Sequence, residues 1–200
     1  LYHIFALTAN CLTFFRYGAK NVLITNPRDM PKFCADLKKN PFTAITGVNT
    51  LFIGLMNQEP FRNLDFKDLK LALGGGMAVQ DVVAQEWKEL TGCVLLEAYG
   101  LSETSPAATI NPWNGQHKIG SRGLPLPNTD IKILDDNMKE VETGSPGEIA
   151  IKGPQVMKGY WQRPEETSKS MHGEYFLTGD VGTMDEKGFF KIVDRKKEMI

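Results

Sequence analysis

The chain has 200 residues, of which 42% are hydrophobic and 24% charged, and its formal net charge is −1. This length suits one large domain with a sizeable core, and the balanced charge gives no bulk field that would attract nucleic acid or an anionic membrane. Three widely spaced cysteines, Cys11, Cys34 and Cys93, favour a reducing compartment over a disulfide framework or a metal cluster. No apolar run approaches the roughly 20 residues of a membrane span.

The first half of the chain alternates helical and strand patterns. Helices are predicted at residues 30–37, 48–56 and 79–90, the last with Gly92 as its C-terminal cap, and buried strands at residues 22–24, 42–45, 69–73 and 94–96. Residues 1–15 are interpreted as a core-facing helix, because they have neither the basic start nor the cleavage site of a signal peptide. Strand–helix alternation at this spacing indicates an α/β fold with a mostly parallel sheet and covering helices.

The pattern changes after about residue 110, where proline and glycine become frequent. Short strands are predicted at residues 130–134, 148–152 and 189–193, separated by turn-forming residues. These features indicate a smaller antiparallel β subdomain that is barrel-like or sandwich-like. We therefore predict an α/β subdomain at residues 1–112 and a β subdomain at residues 113–193.

Three consecutive glycines follow the predicted strand at residues 69–73, at the kind of sheet edge where open α/β folds bind ligands. Gly74, Gly75 and Gly76 allow the backbone to approach a flat or charged ligand closely. Three glycines also suit a flexible turn between a strand and a helix, so both interpretations stay open.

A second cluster, residues 99–104, follows the next predicted strand. Tyr99 is suited to stack on a base, Ser102 to donate to a phosphate oxygen, and Glu103 to hold a Mg²⁺ that bridges phosphates. The same sequence is also compatible with a purely structural interpretation, in which an aromatic core residue is followed by a serine-capped turn.

Two charged clusters lie farther along the chain. Thr178-Gly179-Asp180 presents a carboxylate on a tight turn, which suits the two hydroxyls of a ribose, although Gly-Asp turns are common. In the charged run at residues 194–198, Arg195 can reach a ribose or a phosphate and Asp194 can serve as a pivot. A solvated charge run is the usual meaning of such a segment.

Taken together and in this order, the clusters resemble a known family. The run Leu96-Glu97-Ala98-Tyr99-Gly100-Leu101-Ser102-Glu103-Thr104 resembles the signature of adenylate-forming enzymes, which include acyl-CoA synthetases, luciferases and peptide-synthetase adenylation domains. Further motifs follow in that family's order across essentially the whole chain: Gly147-Glu148-Ile149, Gly153-Pro154, Gly159-Tyr160-Trp161, Thr178-Gly179-Asp180 and Asp194-Arg195. Residues 42–52, 74–77 and 153–157 resemble bacterial long-chain fatty-acid–CoA ligases. The resemblance implies an internal part of the large N-terminal domain of such an enzyme.

The resemblance also implies a role for each matching position. Gly74 to Gly76 would line the adenine and acyl pockets, and Tyr99 and Gly100 would contact the nucleotide, with Tyr99 stacked on adenine. Ser102, which is usually threonine in the family, would bind the α-phosphate, and Glu103 would be the Mg²⁺-linked carboxylate. Asp180 would hold the ribose hydroxyls and Arg195 would be a second nucleotide contact. Asp194 would be the pivot of a hinge that begins at residues 194–200 and leads to a C-terminal domain.

The implied reaction has two steps. A fatty-acid carboxylate attacks the α-phosphorus of ATP to give acyl-AMP and pyrophosphate, and the thiol of CoA then attacks the acyl carbonyl and releases AMP. Mg²⁺ and donors aimed at the α-phosphate must offset the repulsion between the anionic reactants. No residue is required as a covalent nucleophile, and no Ser/His/Cys arrangement suggests one.

Two parts of the family's machinery are expected outside these residues, a phosphate-binding loop before Leu1 and a domain with a catalytic lysine after Ile200. We therefore expect the isolated chain to be inactive or nearly so in adenylation. The apolar face of the helix predicted at residues 48–56 is either plain core or, in its first turn, a wall of a fatty-acid tunnel.

Other functions stay open at this stage. The acid could be an aryl or short-chain one, or the chain could be a non-catalytic nucleotide- or acyl-binding module. The expected partners are ATP, a long-chain fatty acid and CoA, with no nucleic acid. A cytoplasmic location, peripheral contact with the inner membrane and a homodimer are compatible with the sequence.

Overall fold

The computed structural model describes residues 3–196, which divide into two compact units. The first comprises residues 3–97 with 113–115, and the second residues 98–112 with 116–196. Each unit has its own hydrophobic core. The subdomain boundary near residue 113 stays a prediction.

The described residues contain the following helices and strands. The helices are a π-helix (Ala6–Thr13) that continues into α1 (Phe14–Arg16), α2 (Met30–Lys39), α3 (Asn49–Met56), α4 (Glu59–Arg62), α5 (Asp81–Thr91), a 3₁₀ turn (Ser102–Thr104) and α6 (Pro164–Lys169). The strands are β1 (Ala44–Gly47), β2 (Leu71–Gly74), β3 (Leu95–Tyr99), β4 (Thr109–Ile110), β5 (Leu124–Pro125), β6 (Asp130–Leu134), β7 (Gly147–Lys152), β8 (Met171–His172), β9 (Tyr175–Met184) and β10 (Phe190–Arg195).

The first unit is built on parallel strands, as the strand–helix alternation predicts. β1 pairs in parallel with β2, and β2 with the start of β3, where Gly74 lies opposite Glu97. Helix α5 connects β2 to β3 and ends at Gly92, which has a left-handed conformation and donates its backbone N–H to the carbonyl of Lys88. The predicted α/β fold and the predicted cap are both confirmed.

An aromatic cluster forms the centre of the first core. The Trp87 side chain is 0% exposed, and its ring lies 4.9 Å from that of Phe52 and 5.6 Å from that of Phe61. Leu55 and Met56 on α3 are buried beside Phe52. Phe52, Leu55 and Met56 therefore serve as core, whereas the tunnel interpretation of the first turn of this helix stays a prediction.

Two predictions for the first unit are wrong. Residues 22–24 form no strand, and Val22 and Leu23 are exposed, because no neighbouring strand pairs with this short apolar run. The N-terminal segment is helical, but its π-helix contains no buried residue, so it is not the core-facing helix that its apolar composition predicts. Its Phe5 ring instead lies beside Gly75, and Asn10 accepts a hydrogen bond from Thr46 Oγ1.

The second unit is antiparallel, as predicted. Its main sheet has the order β10-β9-β7-β6, with β8 paired to β9, and the end of β3 pairs with β4, which pairs with β5. Isoleucines of β6 and β7 form its core with Ala108 and Phe190. The last strand runs to Arg195, beyond the predicted end at residue 193, because Asp194 and Arg195 still pair with β9. No helix among residues 3–196 is long and apolar enough to cross a membrane.

Candidate functional site

The carboxylate of Asp180 is the centre of the candidate site. Only 5% of the residue is exposed. Its Oδ2 accepts a hydrogen bond from Tyr99 Oη at 2.7 Å, and its Oδ1 accepts one from Arg195 Nε at 2.7 Å. A buried charge is costly unless it is paired and hydrogen-bonded, and these two donors meet that requirement. The structure thus brings together three of the predicted site residues.

The turn before Asp180 is fixed by hydrogen bonds to the neighbouring strand. Thr178 Oγ1 donates to the carbonyl of Ile149 at 2.8 Å and accepts from the backbone N–H of Asp180 at 3.1 Å. The backbone N–H of Gly179 donates to Glu148 Oε1 at 3.0 Å. These contacts hold the carboxylate at one position in the middle of β9.

Tyr99 is held as a hydrogen-bond donor by its surroundings. Burial, and after it the negative charge of Asp180, raise the pKa of the Tyr99 hydroxyl well above its usual value. The hydroxyl therefore stays protonated at neutral pH. The rest of the side chain is half-buried and packs against the core of the second unit.

The segment after Tyr99 folds back on itself at Gly100. A Cβ at Gly100 would overlap the carbonyl oxygen of Pro106 and come within 2.7 Å of the Cα of Ala107. The backbone N–H of Ala108 also donates to the carbonyl of Tyr99 at 2.8 Å. Only glycine leaves room for this close approach, so Gly100 has a structural reason to be present whether or not it touches a nucleotide.

The 3₁₀ turn that follows carries Ser102 and Glu103. Ser102 is exposed, and Glu103 is half-exposed with its Oε1 accepting from Tyr160 Oη at 2.8 Å. Thr104 is buried, and its Oγ1 accepts from the backbone N–H of Leu101 at 2.9 Å. The turn is anchored at Thr104, so Ser102 and Glu103 are presented at the surface of the second unit.

The three consecutive glycines belong to the first unit. Gly74 ends β2 and is buried, Gly75 is buried with its backbone N–H donating to the carbonyl of Gly47 at 3.1 Å, and Gly76 is exposed. Their roles in lining adenine and acyl pockets stay predictions.

The predicted hinge begins inside strand β10. Asp194 is exposed, and its Oδ1 accepts from the backbone N–H of Arg195 at 2.7 Å. Lys196 Nζ contacts Asp136 Oδ1 at 2.8 Å and Glu148 Oε2 at 3.3 Å. The rest of the predicted hinge, residues 197–200, lies outside the described residues.

Three residues of the site were not predicted from sequence as functional. Glu148 is buried and supports the turn at Gly179, Lys196 pairs with Glu148, and Tyr160 donates to Glu103. A carboxylate at a buried strand position, such as Glu148, is a signal for a specific partner, because charged residues are rarely buried alone. Tyr160 lies in a motif of the family resemblance, but no local pattern indicates its contact with Glu103, which lies 57 positions away.

The family resemblance implies a Mg²⁺, and the side chains at the site fit one that is shared with a nucleotide. No group of three or more His, Cys, Asp or Glu side chains within residues 3–196 could hold a metal ion. Mg²⁺ is usually held by one or two carboxylates together with substrate phosphates rather than by an all-protein cage. A single half-exposed carboxylate at Glu103 fits a Mg²⁺ that arrives with a nucleotide.

Comparisons with known proteins place the chain in a family. The model for the AMP-binding enzyme family matches residues 1–161. The chain therefore belongs to the AMP-binding enzyme family, and the sequence-based assignment is confirmed.

Two curated relatives and one solved structure are similar to this chain along its whole length. The long-chain-fatty-acid–CoA ligase of Yersinia pestis is 56% identical over 200 residues, which is 100% of this chain and 36% of the relative. The ligase of the same description from Bacillus subtilis is 39% identical over 202 residues, again 100% of this chain and 36% of the relative. ATP-bound MatB from Rhodopseudomonas palustris has a TM-score of 0.86 at 32% identity and covers 100% of this chain and 39% of that chain. The chain thus spans little more than a third of the length of these proteins.

Proposed function

We propose that this chain is part of an ATP-dependent ligase that activates a long-chain fatty acid as acyl-AMP and transfers the acyl group to CoA. The observation that carries the proposal is the group formed by Tyr99, Asp180 and Arg195. These residues come from three separate motifs of the family resemblance. The identity of 56% to a long-chain-fatty-acid–CoA ligase along the whole chain supports the choice of acid.

Asp180 would receive the two ribose hydroxyls of ATP. A carboxylate offers about four acceptor positions, and Tyr99 and Arg195 use one on each oxygen, so acceptor positions are left for a diol. The paired donors also hold the carboxylate in one orientation before a ligand binds. Preorganisation of this kind lowers the entropic cost of binding.

Ser102 and Glu103 would act at the phosphates. The exposed Ser102 hydroxyl is suited to donate to an α-phosphate oxygen, and Glu103 would hold Mg²⁺. Bound Mg²⁺ supplies charge neutralisation of the phosphate oxygens. Ser102 and the backbone of its turn would hold the α-phosphate in line with the attacking carboxylate, which is the main requirement of phosphoryl and nucleotidyl transfer.

Further roles follow the family resemblance. Gly74, Gly75, Gly76 and Gly100 would line the nucleotide and acyl pockets, and Asp194 would be the hinge pivot. CoA would be the second substrate. A cytoplasmic location, peripheral membrane contact and a homodimer stay predictions.

The test is fatty-acid-dependent exchange of pyrophosphate into ATP by the protein at its natural full length. We expect palmitate to support exchange and an aryl acid such as ferulate to support far less. Asp180→Ala should abolish most of the exchange, whereas Asp65→Ala, which removes an exposed surface carboxylate, should not. Exchange driven by ferulate rather than palmitate would replace the proposed acid, and no exchange with any acid would contradict the proposal.

A further inference from the structure

The loop that precedes α6 contacts Glu103 at two points. The backbone N–H of Met157 donates to the carbonyl of Glu103 at 2.8 Å, and Tyr160 Oη donates to Glu103 Oε1 at 2.8 Å. One contact fixes the backbone of the residue, and the other fixes its carboxylate. Both donors come from one short segment, although Glu103 lies more than fifty positions earlier in the chain.

This loop is itself held in place by α6. The backbone N–H of Tyr160 donates to Thr167 Oγ1 at 2.9 Å, and the same hydroxyl donates to the carbonyl of Arg163 at 2.8 Å. Gly159 has φ +150°, and a Cβ there would come within 2.8 Å of Thr167 Cγ2. The absence of a side chain at Gly159 lets Thr167 approach the loop, and this approach sets the position of Tyr160.

The hydrogen bond leaves Glu103 with free acceptor capacity. Tyr160 occupies one position on Oε1, and a carboxylate has about four. Other positions on the same carboxylate therefore stay available to a cation.

A purely structural role explains this arrangement poorly. Tyr160 is 37% exposed, and an exposed hydrogen bond adds little to the stability of a fold. The packing of the loop does not need the hydroxyl, since Met157 and Thr167 already fix the backbone. What the hydroxyl adds is a defined orientation of the Glu103 carboxylate.

We propose that Tyr160 is a positioning residue that orients the Glu103 carboxylate toward a Mg²⁺ carried by the nucleotide. The inference rests on the proposed function, because it takes Glu103 as the metal-binding carboxylate. Residues that orient a metal ligand by a hydrogen bond typically change metal affinity about 10- to 100-fold when they are removed. Because Tyr160 is partly exposed to water, we expect an effect near the lower end of that range.

The experiment measures how much Mg²⁺ strengthens nucleotide binding, not turnover. Calorimetric titrations of a non-hydrolysable ATP analogue into the natural full-length protein, with Mg²⁺ and with EDTA, give the metal-dependent gain in affinity. We expect Tyr160→Phe to reduce this gain about tenfold, at the low end of effects on metal ligand orientation, with little change in the EDTA titration. Thermal unfolding of the variant checks that the fold is intact.

Tyr175→Phe is the matched control. Tyr175 Oη also donates to a carboxylate, that of Asp130, but this pair lies on the exposed surface of the sheet and has no part in the proposed site. We expect its metal-dependent gain to equal that of the wild type. Equal gains in Tyr160→Phe and Tyr175→Phe would overturn the inference.

Glu103→Gln separates this inference from the proposed function. If Glu103→Gln lowers the metal-dependent gain and Tyr160→Phe does not, only the positioning role of Tyr160 fails. If Glu103→Gln leaves the metal-dependent gain in affinity unchanged, Glu103 does not bind the metal, and the positioning role of Tyr160 is also refuted. Pyrophosphate exchange with palmitate still tests the overall reaction in either case.

Discussion

Arg195 Nε donates to Asp180 Oδ1 at 2.7 Å, although the two residues lie fifteen positions apart. The contact follows from the register of the β9–β10 hairpin, in which Arg195 is paired directly with Asp180. Cross-strand partners on one face of an antiparallel pair have their side chains close enough to interact. Strand β10, in which the predicted hinge begins, is therefore hydrogen-bonded to Asp180, the carboxylate proposed to bind the ribose.

The first prediction concerns Asp180. Asp180→Ala should weaken binding of a palmitoyl-adenylate analogue by about 1–3 kcal/mol, because charge-assisted hydrogen bonds to the ribose would be lost. Calorimetric titration of the natural full-length protein measures this difference. Unchanged affinity in a folded variant would remove Asp180 from the nucleotide site.

The second prediction separates the two parts of Tyr99. Tyr99→Phe keeps the ring and removes the hydroxyl that donates to Asp180, so nucleotide affinity should fall by about 1.5–3 kcal/mol at most, as for one hydrogen bond to a charged group. Tyr99→Ala should cost more if the ring also stacks on adenine. Equal losses in the two variants, measured by the same titration, would speak against stacking.

The third prediction concerns the fold-back at Gly100. Gly100→Ala should destabilise the protein strongly, because the added Cβ overlaps the Pro106 carbonyl and the backbone must shift. Gly173→Ala is the control: its φ is +59° but no atom lies within 4 Å of the added Cβ, so only a conformational cost of about 1–2 kcal/mol applies. Thermal unfolding should show a clearly larger loss for Gly100→Ala, and a loss no larger than the control would contradict the steric explanation.

A fourth prediction concerns the pair formed by Glu148 and Lys196. Glu148→Gln keeps a polar side chain but removes the charge opposite Lys196, at a position where the glutamate side chain is 9% exposed. Losing one member of a largely buried pair should cost about 1–3 kcal/mol in chemical denaturation, less than for a fully buried pair because Lys196 reaches solvent. Glu174→Gln, which breaks an exposed pair with Lys152, should cost less than about 1 kcal/mol. Equal costs would show that burial does not matter at Glu148.

The fifth prediction is a pH dependence at Asp185. The hydrogen bond from Lys118, with backbone donors Phe189 and Lys187, lowers the pKa of Asp185 below its usual 3.8. A lowered folded-state pKa gives stability that is present above the unfolded value and is lost as pH falls through the folded value. Asp185→Asn should therefore be less stable than wild type at pH 7, and the difference should shrink below about pH 4. Thermal unfolding at each pH measures the stability difference between the variant and the wild type. A difference that stays constant down to pH 2 would contradict an ionic origin of the stabilisation by Asp185.

Local patterns were sufficient for most of the fold. The helical spacing at residues 48–56 and the cap at Gly92 predicted α3 and the end of α5, because helix periodicity and a left-handed glycine are local properties. The short apolar run at residues 22–24 misled the prediction, because whether such a run becomes a strand depends on a partner strand that local sequence does not specify.

The residues of the candidate site could be predicted from sequence, but most of their contacts could not. The sequence by itself determined the family, the order of the motifs and the identity of Tyr99, Glu103, Asp180 and Arg195 as residues of interest. Only the tertiary structure decided that Tyr99 and Arg195 share the carboxylate of Asp180, that Glu148 supports its turn and that Tyr160 reaches Glu103. The physical reason is that these contacts are set by strand register and by the return of distant loops, and hydrogen bonds across such separations leave no periodic or local pattern in the sequence.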